Sequence, residues 1–185
     1  MDRKERDAYL REHLKKSRYQ HSLGVEAACV ELAERFGADT DKAARAGLIH
    51  DCAKGMSEDE QREAIEAEGL KLDELWMSMP ELLHGPAGVH VARTVLGEDD
   101  PEVLDAICHH TIPATDPGKL AKIVFLADMM EPNRDFEGVK ELRRLAKKDL
   151  DAAFLEALAQ TVTHNVNARR KVHPRTLEVY NRMIP

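Results

Sequence analysis

Residues 40–55 read Thr40-Asp41-Lys42-Ala43-Ala44-Arg45-Ala46-Gly47-Leu48-Ile49-His50-Asp51-Cys52-Ala53-Lys54-Gly55. The spacing predicts a helix that starts near Thr40, carries Ala43, Ala46 and Gly47 on a small-residue face, and stops at Gly55. His50 and Asp51 fall near its end, in a phase that turns His50 inward.

The same grammar extends in both directions. Upstream, a short helix runs to about Lys16, and Ser17 is placed as the N-cap of a longer helix ending at Gly37. Its apolar stripe is Val25, Cys29, Leu32 and Phe36, and His21 extends that stripe by one turn. Downstream, Ser57 and Glu60 form a capping box for a charged helix ending at Gly69. The stretch from Leu70 to Gly85 carries Trp76, Met77 and Met79 and reads as a packed loop or a partner-facing surface. Pro86 suits the first turn of a helix running to Gly97, with Gly88, Val91 and Val95 on one face and His84 projecting from its approach. Asp100-Pro101 caps and opens another helix, on which Val103 and Ile107 lead to His110. From Pro117 to about Met130 the stripe is Leu120, Ala121, Val124 and Ala127, and Asp128 lies on it. After Pro132-Asn133 two or three more helices follow, the last from His173-Pro174. No internal repeat, low-complexity tract or linker interrupts the pattern.

Composition points the same way. Charged residues make up 33% of the 185 and aromatics only 4%, which is the usage of packed helices rather than sheets. The expected fold is all-α, a helical bundle forming one domain over residues 1–185. With 27 Lys plus Arg against 34 Asp plus Glu, the acidic balance argues against nucleic-acid and membrane partners. Neither a signal-peptide core nor about 18 consecutive apolar residues is present, so the expected location is cytoplasmic. Cys29, Cys52 and Cys108 form no CxxC pair and are read as reduced thiols.

Nine histidines are present, and helical phase divides them. His21, His50 and His110 continue apolar stripes, and His84 lies one turn before Gly88 and Val91. His90 keeps company with Pro86 and Arg93, and His109 with Glu102 and Asp105, so both are expected to face water. One inward histidine is ordinarily a hydrogen-bonded core residue. Four with two inward acids are another matter, because a buried unpaired carboxylate costs several kcal/mol, of order 3–5. Asp51 and Asp128 therefore each require a cation, a donor network or a metal, and no inward Lys or Arg is evident on these stripes. Mixed imidazole and carboxylate donors suit iron, manganese, cobalt or zinc and disfavour calcium.

His21, His50-Asp51, His84, His110 and Asp128 resemble the H…HD…H…H…D signature of di-metal HD-domain phosphohydrolases. More narrowly, Arg18-Tyr19-Gln20-His21-Ser22-Leu23-Gly24-Val25, Ala46 through Lys54, Leu82-Leu83-His84-Gly85-Pro86 and Leu126 through Phe136 resemble the YqeK family, as does His173-Pro174-Arg175-Thr176. The resemblance implies an HD-domain helical bundle and symmetrical cleavage of diadenosine tetraphosphate to two ADP, a small-molecule nucleotide substrate. It implies two divalent metal ions, iron first, with manganese, cobalt or zinc as alternatives. One ion is then held by His21, His50, Asp51 and Asp128, the other by His84, His110 and the second oxygen of Asp51. A hydroxide shared between ions roughly 3.5–4 Å apart is the implied nucleophile. Lys54, one helical turn beyond His50, is a candidate catalytic and phosphate-binding cation, or else a solvated helix-end lysine. Arg134 is a candidate phosphate fork, or else a salt-bridge partner of Asp135 or Glu131. Arg18, one turn before His21, is a third. The basic runs Lys140–Lys148 and Arg169–Lys171 read as solvated helix faces.

One departure stands out. Thr111-Ile112-Pro113-Ala114 follows His110 where the family tends to carry a Thr-Thr-Gly turn. Two other readings stay open within this signature: an HD nucleotidase or dNTP phosphohydrolase, and a nucleotide-sensing HD domain without turnover. A homodimer is compatible with all three.

Overall fold

The protein is described by a computed structural model covering residues 1–184. Among these residues it has eleven α-helices and no strand. They are α1 (Arg3–His13), α2 (Lys16–Phe36), α3 (Thr40–Ile49), α4 (Glu58–Ala67), α5 (Glu74–Met77), α6 (His84–Thr94), α7 (Pro101–Cys108), α8 (Lys119–Met130), α9 (Val139–Ala146), α10 (Leu150–Asn167) and α11 (Pro174–Met183). The all-α expectation holds, and so do most of its punctuation marks. Asp39, Ser57, Asp100 and His173 each cap a helix by accepting from its first-turn N–H groups, Ser57 within a full capping box with Glu60.

Some boundaries differ from the sequence reading. α2 starts at Lys16 with Lys15 in the cap position and no side-chain cap bond, so Ser17 lies inside the first turn. The break comes instead at Leu14, where the chain leaves α1 in an extended conformation and the side chain is buried in the core. α1 accordingly stops at His13, short of Lys16. α4 ends at Ala67, and Gly69 follows with φ +70°. α6 begins at His84 rather than at Pro86, because a 3-10 turn over Pro80–Leu82 runs directly into it. Pro86 remains tolerable as the third residue, where a helix has no carbonyl partner for an N–H anyway. The helix ends at Thr94, and Leu96 closes back onto Val91 before Gly97 turns left-handed at φ +62°.

The core lies where α2, α3, α7 and α8 meet, with Leu32, Leu48, Ile107, Val124 and Leu126 all essentially inaccessible. α2 and α3 cross closely at Gly47. A Cβ there would lie 2.8 Å from the Cys29 sulfur and 3.0 Å from the Glu26 Cα, so only glycine admits this approach. α10 covers α8 on the other side and packs against α9 and α11. The segment after Gly69 is packed: Trp76 is 1% and Met79 3% exposed. The rings of His109 and His173 flank Trp76, and the Arg175 guanidinium stands 5.2 Å over it. A second anchor is electrostatic. Glu98, buried between α6 and α7, accepts from Arg6 of α1 at 3.1 Å and from Arg45 of α3 at 2.5 Å.

The three cysteines are free thiols, all buried. The bulky turn after His110 points inward, with Ile112 1% exposed in the core. No helix among the described residues is long and apolar enough to cross a membrane.

Candidate metal centre

Five chain segments deliver their inward polar residues to one point in the core. α2 brings His21, the end of α3 brings His50 and Asp51, α6 opens with His84, α7 leads to His110, and α8 brings Asp128. Three groups of these residues each place one donor atom per residue within 4.8 Å of the others: His21, His50 and Asp51; His50, His110 and Asp128; and Asp51, His84 and His110. Thus all six sequence candidates come together. His90 and His109 do not: His90 lies against Glu68, and His109 donates or accepts within its own helix region at Asp105. The phase argument that picks His110 over its neighbour holds, the side chains being 1% and 19% exposed, but His109 does not face open water as expected: its ring packs against the buried Trp76.

Asp51 stands between two sets of imidazoles. Its Oδ1 lies 3.2 Å from His84 Nε2 and 3.6 Å from His110 Nε2, and its Oδ2 lies 3.3 Å from His50 Nε2. Asp128 Oδ1 lies 2.9 Å from His21 Nε2. The outer ring nitrogens fix the tautomers. Nδ1 of His50 lies 2.8 Å from the Gly47 carbonyl, and Nδ1 of His110 lies 2.8 Å from the Ile107 carbonyl. A carbonyl only accepts, so each Nδ1 carries the proton and, in the neutral ring, Nε2 presents a lone pair to the centre. Nε2 of His21 and of His50 are buried without any hydrogen-bond partner. A bare nitrogen 3.3 Å from a carboxylate oxygen needs a positive charge between them, and a proton can serve only one such pair. Here several pairs converge, so the donor set fits divalent metal.

The electrostatics are those of a charge-dense core. Burial works against ionising Asp51, but the neighbouring imidazoles, the charge of His50 first and then His110 and His84, hold its carboxyl well below the usual range. Asp128 behaves alike: burial opposes it, and His21 and His50 pull it down. Burial pushes the His84 imidazole down to about 4, so at neutral pH it is an uncharged donor. Burial also lowers the Lys54 amine, with the Arg18 charge adding to the effect.

The three candidate cations all reach this centre. Lys54 Nζ lies 3.0 Å from His84 Nδ1 and 3.1 Å from the Glu81 carbonyl, which is not the position of a solvated helix-end lysine. Arg18 pairs with Asp51 Oδ2 at 2.8 Å. Arg134 does pair with an acid, but with Asp128 at 2.6 Å rather than with Asp135 or Glu131. The expectation of acids without cationic partners is therefore corrected: both arginines come from positions that stripes alone cannot place, one half-exposed on α2 and one in the loop after α8.

Two residues escaped the sequence reading. Glu131 is 2% exposed; its Oε1 lies 3.1 Å from His21 Nδ1, and its Oε2 accepts from the Asn133 N–H at 2.7 Å and from Asn133 Nδ2 at 3.1 Å. It orients the His21 ring in the way an outer carboxylate orients a ligating histidine. Gly24 makes room for it, since a Cβ there would sit 2.5 Å from Glu131 Oε2. A signal existed: Glu131 is three residues beyond Asp128, as Gly24 is beyond His21. The other is Arg143, read as part of a solvated basic run. It donates to the carbonyls of Met130, Glu131 and Arg134 at 2.9, 2.7 and 2.8 Å and so sets the shape of the loop that carries Arg134.

An all-helical bundle whose inward His and Asp residues converge in this order defines a class, and the comparisons agree. The sequence profile of the HD domain matches residues 18–133. The bis(5'-nucleosyl)-tetraphosphatase (symmetrical) of Halalkalibacterium halodurans is 40% identical over 172 residues, covering 93% of this chain and 91% of its own. The protein of that name from Bacillus subtilis is 37% identical over 184 residues, covering 100% of this chain and 98% of its own. Among solved structures, a predicted HD superfamily hydrolase involved in NAD metabolism from Clostridium acetobutylicum superposes with a TM-score of 0.95. It is 38% identical, and the match covers 99% of this chain and 97% of that one. The chain belongs to the HD domain family, in the branch that holds these symmetrical tetraphosphatases.

Proposed function

We propose that this chain is a metal-dependent phosphohydrolase that cleaves diadenosine tetraphosphate symmetrically into two ADP. The observation that carries the reading is the set of imidazole and carboxylate donors around Asp51, two of whose buried nitrogens have no other partner. The names and full-length similarity of the relatives supply the substrate class.

In this reading His21, His50, Asp51 and Asp128 hold one divalent ion, and His84, His110 and Asp51 hold a second, iron being the first expectation. Bound there, such ions lower the pKa of water to near neutrality, about 7, and offset charge on phosphoryl oxygens. The chain's own residues do the rest. A water oxygen bonds to one inner phosphorus as the bond from that same phosphorus to the oxygen bridging the two inner phosphates breaks; the bridging oxygen leaves with the second ADP, and the proton given up by the water balances any proton the leaving oxygen takes up. Arg18 and Arg134 line the cavity over His21 and, while paired with Asp51 and Asp128, place their positive charge beside the phosphate oxygens. Lys54 offers a point charge at the His84 end. Positioning and charge of this kind account for most catalysis of phosphoryl transfer. In this reading the whole chain acts as a single domain, in the cytoplasm.

The test joins metal analysis of freshly purified protein to chromatography of the products from diadenosine tetraphosphate. Approximately two metal equivalents and ADP as the sole nucleotide product are expected. ATP plus AMP would overturn symmetrical cleavage, and activity confined to deoxynucleoside monophosphates would favour a nucleotidase.

A further inference from the structure

Beyond Arg134, next to the cavity over His21, lies a larger groove. Its volume is about 1070 Å³, against about 390 Å³ for the cavity over His21, and the two share Asn133 and Arg134 in their walls. One wall is the loop 133–138. The other is a face of α10 on which Glu156, Gln160, Thr163 and His164 recur at helical spacing.

The groove is built rather than incidental. Arg143 fixes the loop through its three carbonyl bonds, and Gln160 Nε2 reaches the Gly138 carbonyl at 3.5 Å. Gly138 turns there at φ +95°, and a Cβ on it would lie 2.9 Å from Gln160 Nε2, so loop and helix are closely apposed.

Its chemistry changes along its length. At the inner end stands the Arg134 guanidinium, suited to phosphate. Farther out the charged groups are Asp135, Glu137 and Glu156, and no lysine or second arginine lines the groove. A polyphosphate chain would be repelled there, whereas hydroxyl and amino donors would meet acceptors. The same loop wall carries Phe136, 38% exposed, the one aromatic among the exposed large apolar side chains of the described residues. An open ring beside polar edges is a surface on which a planar base stacks.

We propose that this groove holds one nucleoside of the substrate, with the base stacked on Phe136, the ribose and base edges facing the acids and the polar side chains of α10, and the attached phosphates entering past Arg134. The proposal rests on the dinucleotide reading above and deepens it: it makes the enzyme require a nucleoside, and it puts the determinant in the 133–138 loop and α10 rather than at the metals.

The test is a pair of binding measurements on the metal-loaded protein, ADP against pyrophosphate, by calorimetry. Loss of one base-stacking ring is worth roughly ten- to a hundredfold in affinity. Phe136→Ala should therefore raise the Kd of ADP by that factor, leave the Kd of pyrophosphate, the metal content and the Tm unchanged, and raise KM for diadenosine tetraphosphate more than it lowers kcat. Phe136→Trp should retain ADP affinity. An unchanged ADP Kd in Phe136→Ala, or an equal loss for pyrophosphate, would overturn the groove assignment. Failure of the function reading looks different: the wild-type protein would not cleave diadenosine tetraphosphate, while the ADP measurement would still decide whether the groove binds a nucleoside.

Discussion

Replacing Glu131 by glutamine changes one atom of the side chain, and the geometry dictates that it cannot be neutral. Both carboxylate oxygens act as acceptors, Oε1 toward His21 Nδ1 at 3.1 Å and Oε2 toward two donors of Asn133 at 2.7 and 3.1 Å. A glutamine has one acceptor and one donor at those places. If its amide nitrogen faces Asn133, two donors oppose it; if it faces His21, the ring must move its proton to Nε2, where the metal lone pair is needed. Either arrangement forfeits a buried hydrogen bond to a charged acceptor, worth about 1.5–3 kcal/mol. Metal affinity at the His21 end should fall roughly ten- to a hundredfold. A chromophoric chelator in competition with the protein reads this directly, and melting of the metal-stripped protein tests whether the fold has suffered. The ion expected at His84 and His110 is an internal control and should bind as before. Should Glu131→Gln and Glu131→Ala both retain wild-type affinity at both positions, Glu131 would be a packing residue and the orienting argument would be wrong.

Three further outcomes follow from the geometry. Gly47→Ala drives a Cβ to 2.8 Å from the Cys29 sulfur, against backbone on the far side, and should cost about 1–3 kcal/mol in urea unfolding; a loss below that range would mean that α2 and α3 separate easily. Glu98→Ala leaves the buried Arg6 guanidinium without its carboxylate and should cost about 3–5 kcal/mol, while Arg6→Met with Glu98→Gln should restore part of that loss. His90→Ala and His109→Ala should keep metal content and turnover within a few-fold, because neither ring joins the converging groups; loss of metal in either would place the centre elsewhere.

Much of this was legible before any coordinates. Phase alone chose His110 over His109 and turned His21 and His50 inward, because an amphipathic helix fixes side-chain direction once its stripe is known. The helix starts at Ser57, Asp100 and His173 were readable since their capping bonds are local. What escaped depends on partners distant in the chain. Arg18 meets Asp51 across 33 residues and Glu131 meets His21 across 110. No periodicity encodes such pairs. The start of α2 departs from its local signal in the same way: the break falls at the extended, core-buried Leu14 and not at the Ser17 hydroxyl. Arg143 looked like one member of a charged surface run, yet its position on α9 lets it gather three carbonyls of a neighbouring loop.

The distance in sequence between His21 and Glu131 also bears on how the chain is made. A ribosome releases the polypeptide from its N-terminus at about 5–20 residues per second. The early helices can meet while synthesis continues, but the face of α2 that carries His21 waits for α8 and the turn beyond it. Until residue 131 has emerged, His21 lacks the carboxylate that orients its ring, so this side of the centre can be completed only after most of the chain has been made.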